Sequence, residues 1–489
     1  DGTIRWYRQA DGAPLLAFFP HKDRKRWVAW TPTGHYLASG PDAEQLIGWQ
    51  INRGHDHAPD FVTGNQVFAY FSNPAVVLRS LRERIPAREL LADLGIPPFD
   101  WNALLQRPLV RLPTDLISGM TAKTRTLSLD ITAQDQGGGV QEIRLFHNDK
   151  AIKPRGRAQL DADGQTWVQP FTLNLSPGEN QLRTLALSQA QVESDPVTLP
   201  LLFEGETAQS RLWILAVGIN EYQNRRYNLN YCRADVEALV TELKNDARTQ
   251  ELFQDVTVHL LTDADATLPN IRSAAETIAQ SARPEDVFLF TFAGHGLMAE
   301  PAADGSREYY LALHDVTQMY GENLSQKGLS STLIKDLSQA IPASKQVILL
   351  DACESGGGAE LIALRSGPAQ EKALAMLARA TGMHVFASAQ EEAFAGEVKA
   401  LGHGIFTYAL LDGMRQGDAN NDQAISITEL NAHLNQQVPL LSEEHGQFAQ
   451  YPFTYSIGQD FPLVMAGDSP SSAPTQKNRI QQLWEKLFP

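Results

Sequence analysis

Long apolar runs and helically spaced apolar residues alternate through the second half of the chain, from about residue 210 to 466. The runs "RLWILAVG", "DVFLFTF" and "QVILLDA" are continuous, as in strands that are buried on both faces of a sheet. The stretch "ADVEALVTELKND" follows the first run and has Val236, Leu239, Val240 and Leu243 at helical spacing. This alternation predicts a doubly wound α/β domain with a mainly parallel sheet and helices on both faces.

Shorter segments with alternating polar and apolar residues precede this region. Examples are "RTLSLDITAQD", "EIRLFHNDKAI" and "FTLNLSPGENQLRTLALS", with turn residues between them. Several short strands at this spacing predict a β-sandwich of immunoglobulin type over residues 113–206. The α/β domain is then expected over residues 207–467, and residues 468–489 are expected to be a Pro/Ser linker with a short amphipathic helix.

Residues 1–112 also have a β-rich pattern. Two apolar runs flank the Asp11–Gly12 turn, which predicts a β-hairpin, and segments with Trp and Gly follow. This stretch resembles the closing part of a WD-repeat β-propeller. A helical segment is predicted from about residue 77 onward, with a stop signal at the Gly before "IPPFD".

Composition narrows the function classes. Hydrophobic residues make up 43% and charged residues 20% of the 489 residues, as in globular proteins. The formal net charge of −16 argues against a nucleic-acid-binding surface, because phosphate contacts need clustered Lys and Arg. No apolar run reaches the roughly 18 residues of a membrane span.

The two cysteines, Cys232 and Cys353, are too few for a disulfide framework, so a reducing compartment is expected. We therefore predict a cytoplasmic protein without membrane or nucleic-acid partners. The chain begins at Asp1 without a methionine, so a signal removed by processing is not excluded.

Two reactive side chains come directly after predicted buried strands. His295 follows "FLFTFAG" and lies between two glycines, and Cys353 follows "VILLDA". The carboxyl ends of parallel strands meet at one edge of a sheet, and an imidazole there can activate a thiol if the strands are neighbours. The N–H groups of Gly296 and Cys353 are the expected donors to an oxyanion. An inert core cysteine and an ordinary loop histidine are the alternatives.

The motifs "ILAVGINEY", "LNYCRADVEAL", "FTFAGHG", "ILLDACESGG" and "GHGIFTYALLDGM" occur in this order over about 250 residues. The segment resembles the caspase-like cysteine proteases, in particular the prokaryotic metacaspases or orthocaspases, which also have WD-repeat and immunoglobulin-like neighbours. The resemblance implies a caspase-haemoglobinase fold and a His295–Cys353 dyad that forms an acyl-enzyme and requires no cofactor. It also implies a protein or peptide substrate, and a regulatory protein bound by the N-terminal β-rich units is a further expected partner.

Acidic residues accompany the expected nucleophile. Asp351 lies two residues before Cys353, and strand alternation puts both side chains on the same side of the strand. By the resemblance, Asp235 is the second acid of the pocket that binds the P1 side chain, and Cys232 lines this pocket. Two carboxylates favour Arg or Lys at P1. A helix N-terminal acid at 235 and a structural strand-end carboxylate at 351 are the alternatives.

The resemblance also predicts a far wall of the substrate cleft. Ser388, Gln390 and Glu391 in "ASAQEE" fall in this part of the pattern, whereas Ala293 departs from it, since some metacaspases have Ser there. Two other functions remain open. One is an interaction scaffold with an idle protease domain, and the other is a caspase-like protease with a preference for Asp at P1.

Self-cleavage is a further expectation, because caspase-like enzymes are often cut between the Cys strand and the next strand. The stretch 357–383 contains Arg365, Lys372 and Arg379, which suit an Arg/Lys-specific pocket. An ordinary loop followed by a helix is the alternative.

The segment "DANNDQAISITE", residues 418–429, resembles an EF-hand loop. Four residues fall at loop positions 1, 3, 5 and 12, as calcium ligands would: Asp418, Asn420, Asp422 and Glu429. Gln423 replaces the usual Gly, and "GMRQG" is expected to break the preceding helix. Bound Ca²⁺ and a metal-free polar turn both remain open.

Overall fold

The computed structural model describes residues 2–245, 247–299, 307–352, 367–389, 397–398, 401–445 and 450–466. Several predicted features lie outside these ranges: Cys353, Arg365, Gln390, Glu391 and the C-terminal segment 468–489.

The N-terminal part is β-rich and antiparallel. Its strands are β1 Ile4–Tyr7, β2 Pro14–Pro20, β3 Trp27–Trp30, β4 Tyr36–Ala38, β5 Gly48–Ile51 and β6 Asp60–Thr63. Strands β1 to β4 form one sheet in chain order, and β5 pairs with β6. The predicted hairpin around Asp11–Gly12 is confirmed by the antiparallel pairing of β1 with β2, and Gly12 has the positive φ of +72° that favours glycine.

Short helices complete this part: α1 Pro41–Glu44, α2 Phe68–Phe71, α3 Pro74–Glu83 and α4 Ala87–Asp93. The helical segment predicted from residue 77 is therefore two helices. Arg84 ends α3 in a left-handed conformation with a φ of 58°, and Pro86 precedes α4, where it cannot continue the α3 hydrogen-bond pattern. Short 3₁₀ helices lie at Gly64–Val67, Trp101–Leu104, Arg225–Tyr227 and Asp263–Asp265.

Two packed sheets follow. Their strands are β7 Leu109–Arg111, β8 Thr121–Ala122, β9 Thr126–Gln134, β10 Glu142–His147, β11 Lys150–Ala151, β12 Gln159–Leu160, β13 Thr166–Asn174, β14 Gly178–Leu187 and β15 Val197–Phe203. The sheet orders are β11-β10-β14-β15-β8 and β12-β13-β9-β7. Alternate residues Leu129, Ile131 and Ala133 of β9 point into one core, which they share with Leu145 and Leu182 of the other sheet. The immunoglobulin type of this unit remains a prediction.

A six-stranded sheet forms the centre of the second half. Its strands are β16 Leu212–Gly218, β17 Val256–Thr262, β18 Val287–Gly294, β22 Lys345–Ala352, β23 His384–Ala389 and β27 Tyr451–Tyr455. The order is β17-β16-β18-β22-β23-β27, with parallel pairing throughout except between β23 and β27. Every residue of β16 and β18 is buried, as their continuous apolar runs predict.

Helices lie on both faces of this sheet: α5 Cys232–Asn245, α6 Ala247–Leu252, α7 Leu268–Ser281, α8 Gly321–Lys327, α9 Ser331–Ala340, α10 Gly367–Thr381, α11 Ile405–Gln416 and α12 Ile427–His445. Strand β16 shows how the two faces are divided. Trp213 and Leu215 pack with α7, α9 and α10, whereas Ile214 and Ala216 pack with α5, α11 and α12. The predicted α/β architecture with a mainly parallel sheet is confirmed.

Smaller strand groups border the central sheet. They are β19 Gly296–Met298, β20 Tyr309–Leu311 and β21 Leu329–Ser330 in one group, β24 Glu397–Val398 with β25 His403–Gly404, and β26 Ala424–Ser426 with β28 Pro462–Met465. Among the residues described, no helix is both long and apolar enough to cross a membrane.

Arg379, near the end of α10, joins the three parts of the chain. Its guanidinium lies 3.0 Å from the Glu44 carboxylate of α1 and 3.1 Å from the Glu193 carboxylate, and it lies 4.6 Å from the centre of the Phe68 ring. Tyr455 of β27 donates a hydrogen bond to Glu44 at 2.8 Å. We call these five residues the Arg379 junction.

The junction contradicts the prediction of self-cleavage at Arg379. The Arg379 side chain is only 11% exposed, and both it and Lys372 belong to the helix α10. A protease needs an accessible, extended backbone at the scissile bond, which a packed helix does not offer. Arg365 lies outside the described residues, so self-cleavage there stays a prediction.

Candidate active site

His295 follows the last residue of β18, at the carboxyl edge of the central sheet. Strands β18 and β22 are parallel neighbours, and Gly294 pairs with Ala352. The residues that follow this pair are His295 and Cys353. The two strands that precede His295 and Cys353 are therefore neighbours, as a His–Cys dyad requires. Cys353 itself lies outside the described residues.

His295 is held by backbone and side-chain hydrogen bonds, and it is only 2% exposed. Its backbone N–H donates to the Tyr222 hydroxyl at 3.1 Å, and its ring Nε2 lies 2.8 Å from the Tyr227 carbonyl oxygen. A carbonyl oxygen only accepts, so Nε2 has the proton and the neutral ring has its lone pair on Nδ1. The ring nitrogen that can act as a base is therefore Nδ1.

Gly296 lies where the backbone comes close to the strand of the expected nucleophile. A Cβ on Gly296 would overlap the Tyr309 hydroxyl and lie 3.2 Å from the Cβ of Ala352. Only glycine fits without displacing these groups. The Gly296 backbone therefore lies against the residue that precedes Cys353, where an oxyanion donor is needed, while the donor role itself stays a prediction.

The two predicted pocket acids come together at the N-terminus of α11. A Cβ on Gly404, the residue before this helix, would lie 2.7 Å from Oδ2 of Asp351 and 3.3 Å from Oδ2 of Asp235. Asp351 accepts a hydrogen bond from the Thr407 hydroxyl at 2.7 Å. Both carboxylates thus approach one helix N-terminus, where the N–H groups and the helix dipole favour negative charge.

His403 lies beside the two predicted pocket acids, and the sequence prediction missed it. Its Nδ1 lies 2.8 Å from Oδ1 of Asp235. Burial lowers the pKa of His403, and Arg415 lowers it further, whereas Asp351 acts in the opposite direction. A signal was present, because His403 directly precedes Gly404 in the motif "GHGIFTYALLDGM". The side chain is therefore expected to be neutral at pH 7.

Other predicted pocket and cleft residues are less accessible. Cys232, at the start of α5, is 9% exposed and packs in the core on that face of the sheet. Ala293, the residue that departs from the expected pattern, pairs in register with Asp351, a predicted pocket acid. Ser388 is 1% exposed within β23. Its predicted contact with a substrate stays a prediction.

The expected calcium loop lies between α11 and α12. Oxygen atoms of Asp418, Asp422 and Glu429 lie within 4.8 Å of one another. Helix α11 extends to Gln416, so the predicted break at "GMRQG" is wrong and a helix–loop–helix frame is present. Glu429 already accepts hydrogen bonds from the backbone N–H groups of residues 419, 420 and 426. Calcium binding remains a prediction.

Comparison with solved structures gives weak likenesses. Protein GSU0716 from Geobacter sulfurreducens has 18% sequence identity and a TM-score of 0.34, covering 53% of this chain and 100% of its own. The fibronectin(III)-like modules of Clostridium thermocellum CbhA have 15% identity and a TM-score of 0.16, covering 20% of this chain and 47% of theirs. Both scores are too low to indicate a shared fold.

A search of curated proteins finds no match. The family comparison is decisive, because residues 211–462 match the family model described as "Caspase domain". This range covers more than half of the chain and contains the central sheet, His295, Asp235, Asp351 and the position of Cys353. The chain therefore belongs to the caspase domain family, and this part of it is a cysteine-type peptidase domain that acts on protein substrates.

Proposed function

We propose that the protein is a cysteine endopeptidase of the metacaspase or orthocaspase type that cleaves after Arg, or Lys, through a His295–Cys353 dyad. One observation supports this above all others. Asp235 and Asp351 approach each other around Gly404, and Asp351 belongs to the strand that leads into Cys353. Negative charge is thus concentrated beside the position of the nucleophile, where a P1 side chain would enter.

The chemistry follows from the groups at the sheet edge. Nδ1 of His295 takes the proton of the Cys353 thiol, and the thiolate sulfur attacks the carbonyl carbon of the scissile peptide bond. The N–H groups of Gly296 and Cys353 stabilise the oxyanion of the tetrahedral intermediate. The imidazolium of His295 then protonates the leaving amine. Water hydrolyses the resulting thioester, again with His295 as the base.

The preference at P1 follows from charge. A carboxylate at P1 would approach two carboxylates in a partly desolvated pocket, which costs free energy, whereas a guanidinium or ammonium is attracted. Asp351 is partly exposed, and its hydrogen bond from Thr407 fixes one oxygen. A fixed carboxylate suits the planar donors of Arg best.

A panel of fluorogenic peptides tests this function. Peptides that end in Arg, Lys or Asp at P1 are incubated with the wild-type chain and with Cys353→Ala, with calcium and with chelator. We expect turnover of the Arg and Lys peptides that is lost in Cys353→Ala. Turnover of the Asp peptide alone would overturn the assignment of the P1 pocket. If no peptide is cleaved in a Cys353-dependent manner, the proposed protease function is overturned.

The variant Asp351→Asn tests the specificity acid within the same panel. Asparagine keeps an oxygen that can accept the Thr407 hydrogen bond, but it removes the charge. We expect kcat/KM for the Arg peptide to fall about 10- to 100-fold, because a hydrogen bond to a charged group contributes about 1.5–3 kcal/mol. The melting temperature should change little. An equal loss of stability and activity would mean that Asp351 is structural.

The N-terminal units are included in the proposal. We assign residues 1–112 to a propeller-like segment with helices, 113–206 to an immunoglobulin-like sandwich, 207–467 to the peptidase domain and 468–489 to the linker and terminal helix. The β-rich units would bind a regulatory protein, and Arg365 is the remaining self-cleavage position. A cytoplasmic location is part of the same proposal.

Calcium binding to the loop 418–429 is the last part of the proposal. Gln423 occupies the usual glycine position with a φ of +70°, a conformation that costs a side-chain-bearing residue about 1–2 kcal/mol. We expect Gln423→Gly to bind Ca²⁺ more tightly than the wild type and to show a larger rise of the melting temperature on addition of Ca²⁺. Asp418→Ala is the matched control and should show no rise. Calcium binding would be contradicted if each of the three proteins had the same melting temperature with Ca²⁺ as with chelator.

A further inference from the structure

Asp235 and His403 form a hydrogen-bonded pair inside the specificity pocket. The Asp235 carboxylate accepts from Nδ1 of His403 at 2.8 Å and from the backbone N–H of Gly404 at 3.3 Å to each oxygen. These donors come from the segment that begins α11, whereas Asp235 lies in the first turn of α5. The pair therefore connects α5 with the short strand β25 that directly precedes α11.

Burial differs between the two partners. The Asp235 side chain is 4% exposed, and the His403 side chain is 25% exposed. Asp351 on the other side of Gly404 is partly exposed. His403 and Asp351 are therefore more exposed to solvent in this pocket than Asp235 is. A substrate side chain that enters the pocket in this form meets the imidazole before it meets the Asp235 carboxylate.

The hydrogen bond to Asp235 determines which ring nitrogen of His403 faces a ligand. A carboxylate only accepts, so Nδ1 has the proton. The neutral ring then has its lone pair on Nε2, and this nitrogen has no hydrogen-bond partner among the described residues. Nε2 is consequently an acceptor, which is the group that a guanidinium N–H needs.

We propose that His403 is a specificity-determining residue that accepts a hydrogen bond from the P1 side chain through Nε2, with Asp351 as the charged partner and Asp235 acting through His403. The proposal rests on the proposed Arg/Lys-specific protease function. It changes the role of Asp235 from a direct ligand of the substrate to a positioning residue that fixes the ring and its tautomer.

Arginine gains more from this arrangement than lysine. A guanidinium has five N–H donors in one plane, and it can donate to the Asp351 carboxylate and to His403 at the same time. The lysine ammonium is a compact group at the end of a flexible chain, so a second acceptor to one side of the carboxylate helps it less. The ratio of kcat/KM for Arg to that for Lys peptides should therefore depend on His403.

Acid should weaken substrate binding through the same residue. Protonation of His403 turns the acceptor into a cation that repels a basic P1 side chain. Among the residues that the structure describes, the charged groups beside the imidazole are Asp235 on α5, Asp351 at the end of β22 and Arg415 on α11. Burial and Arg415 lower the pKa of His403, so KM for the Arg peptide should rise only below about pH 6.5.

Two isosteric variants separate the roles of the two ring nitrogens. His403→Asn keeps a donor near the position of Nδ1 and can still bond to Asp235, but it has nothing at the position of Nε2. His403→Gln extends a polar group to the position of Nε2 and loses the donor beside Asp235. We expect His403→Asn to raise KM for the Arg peptide about 10-fold and to lower the Arg/Lys ratio, with the wild-type melting temperature. His403→Gln should keep more of the Arg preference.

The outcomes distinguish this inference from the proposed function. If the wild type cleaves no Arg or Lys peptide in a Cys353-dependent manner, the protease function fails first. If the wild type cleaves them and His403→Asn leaves KM, its acid rise and the Arg/Lys ratio unchanged, the role of His403 is wrong and the protease stands. If His403→Gln loses more stability and activity than His403→Asn, the histidine is a structural partner of Asp235 and the inference is overturned.

Discussion

Replacement of His295 by alanine is expected to lower kcat for peptide hydrolysis by about 10²- to 10⁴-fold, which is the range for loss of a general acid–base group. The physical reason is the geometry of the ring. Nε2 donates its hydrogen bond to the Tyr227 carbonyl oxygen, so Nδ1 is the nitrogen that exchanges protons with the thiol and the leaving amine. Without it the thiol stays protonated near pH 7, since a free cysteine has a pKa of about 8.5.

Alkylation gives a second readout that does not depend on a substrate. Iodoacetamide reacts with the thiolate, so the rate at Cys353 near pH 7 should fall in His295→Ala, while the buried Cys232 reacts slowly in both proteins. A matched control is His433→Ala, which removes a partly buried histidine that bonds to Asp412 away from the sheet edge. Undiminished turnover or alkylation in His295→Ala would show that another group activates Cys353.

The central sheet could be predicted from the sequence because its signal is local. Each residue of β16 and β18 is apolar or small over a full strand length, and such short runs are typical of strands buried on both faces. The N-terminal helical segment was less well predicted. Its division lies at Arg84, which is left-handed, and at Pro86. The apolar spacing does not mark this position, although the proline does, because it cannot continue a helix.

The candidate site was predictable where a residue lies at the carboxyl end of a buried parallel strand or directly after it. His295 and Asp351 have this property, because the carboxyl ends of neighbouring parallel strands necessarily meet. His403 does not, since its contact with Asp235 joins the short strand β25 to α5, and the two residues are 168 positions apart in the chain. The burial of Ser388 escaped prediction for a related reason, since it depends on the antiparallel partner β27.

Arg379 is the clearest case of a residue whose role no local pattern indicates. As one basic residue in the stretch after the Cys strand, it suits self-cleavage, yet three segments distant in sequence surround it in the fold.

We expect Arg379→Met to destabilise the full chain by about 3–5 kcal/mol at pH 8, because it leaves the Glu44 and Glu193 carboxylates without their buried cation. Urea denaturation of the full chain measures this loss.

The pH dependence of that loss identifies its cause. Burial raises the pKa of Glu44 from 4.5 to about 7, against the opposing effect of Arg379. Since the folded pKa exceeds the unfolded one, the folded state binds more protons between about pH 4.5 and 7, and stability falls as pH rises through this window. Removing Arg379 raises the pKa of Glu44 further. The variant should therefore lose much less stability at pH 5, where Glu44 is protonated in the folded state of both proteins.

Two further variants show whether the junction acts as a charge network. Adding Glu44→Gln to Arg379→Met should recover part of the stability at pH 8, because it removes one of the unpaired charges. Arg79→Met, which breaks a half-exposed ion pair with Glu83, is the control and should cost less than about 1 kcal/mol at either pH. A loss for Arg379→Met as small as this control, or one equal at pH 5 and pH 8, would contradict a buried ionic junction. A confirmed loss would mean that the helix following the nucleophile segment is held by both N-terminal units, and it would give these units a physical route to the active site.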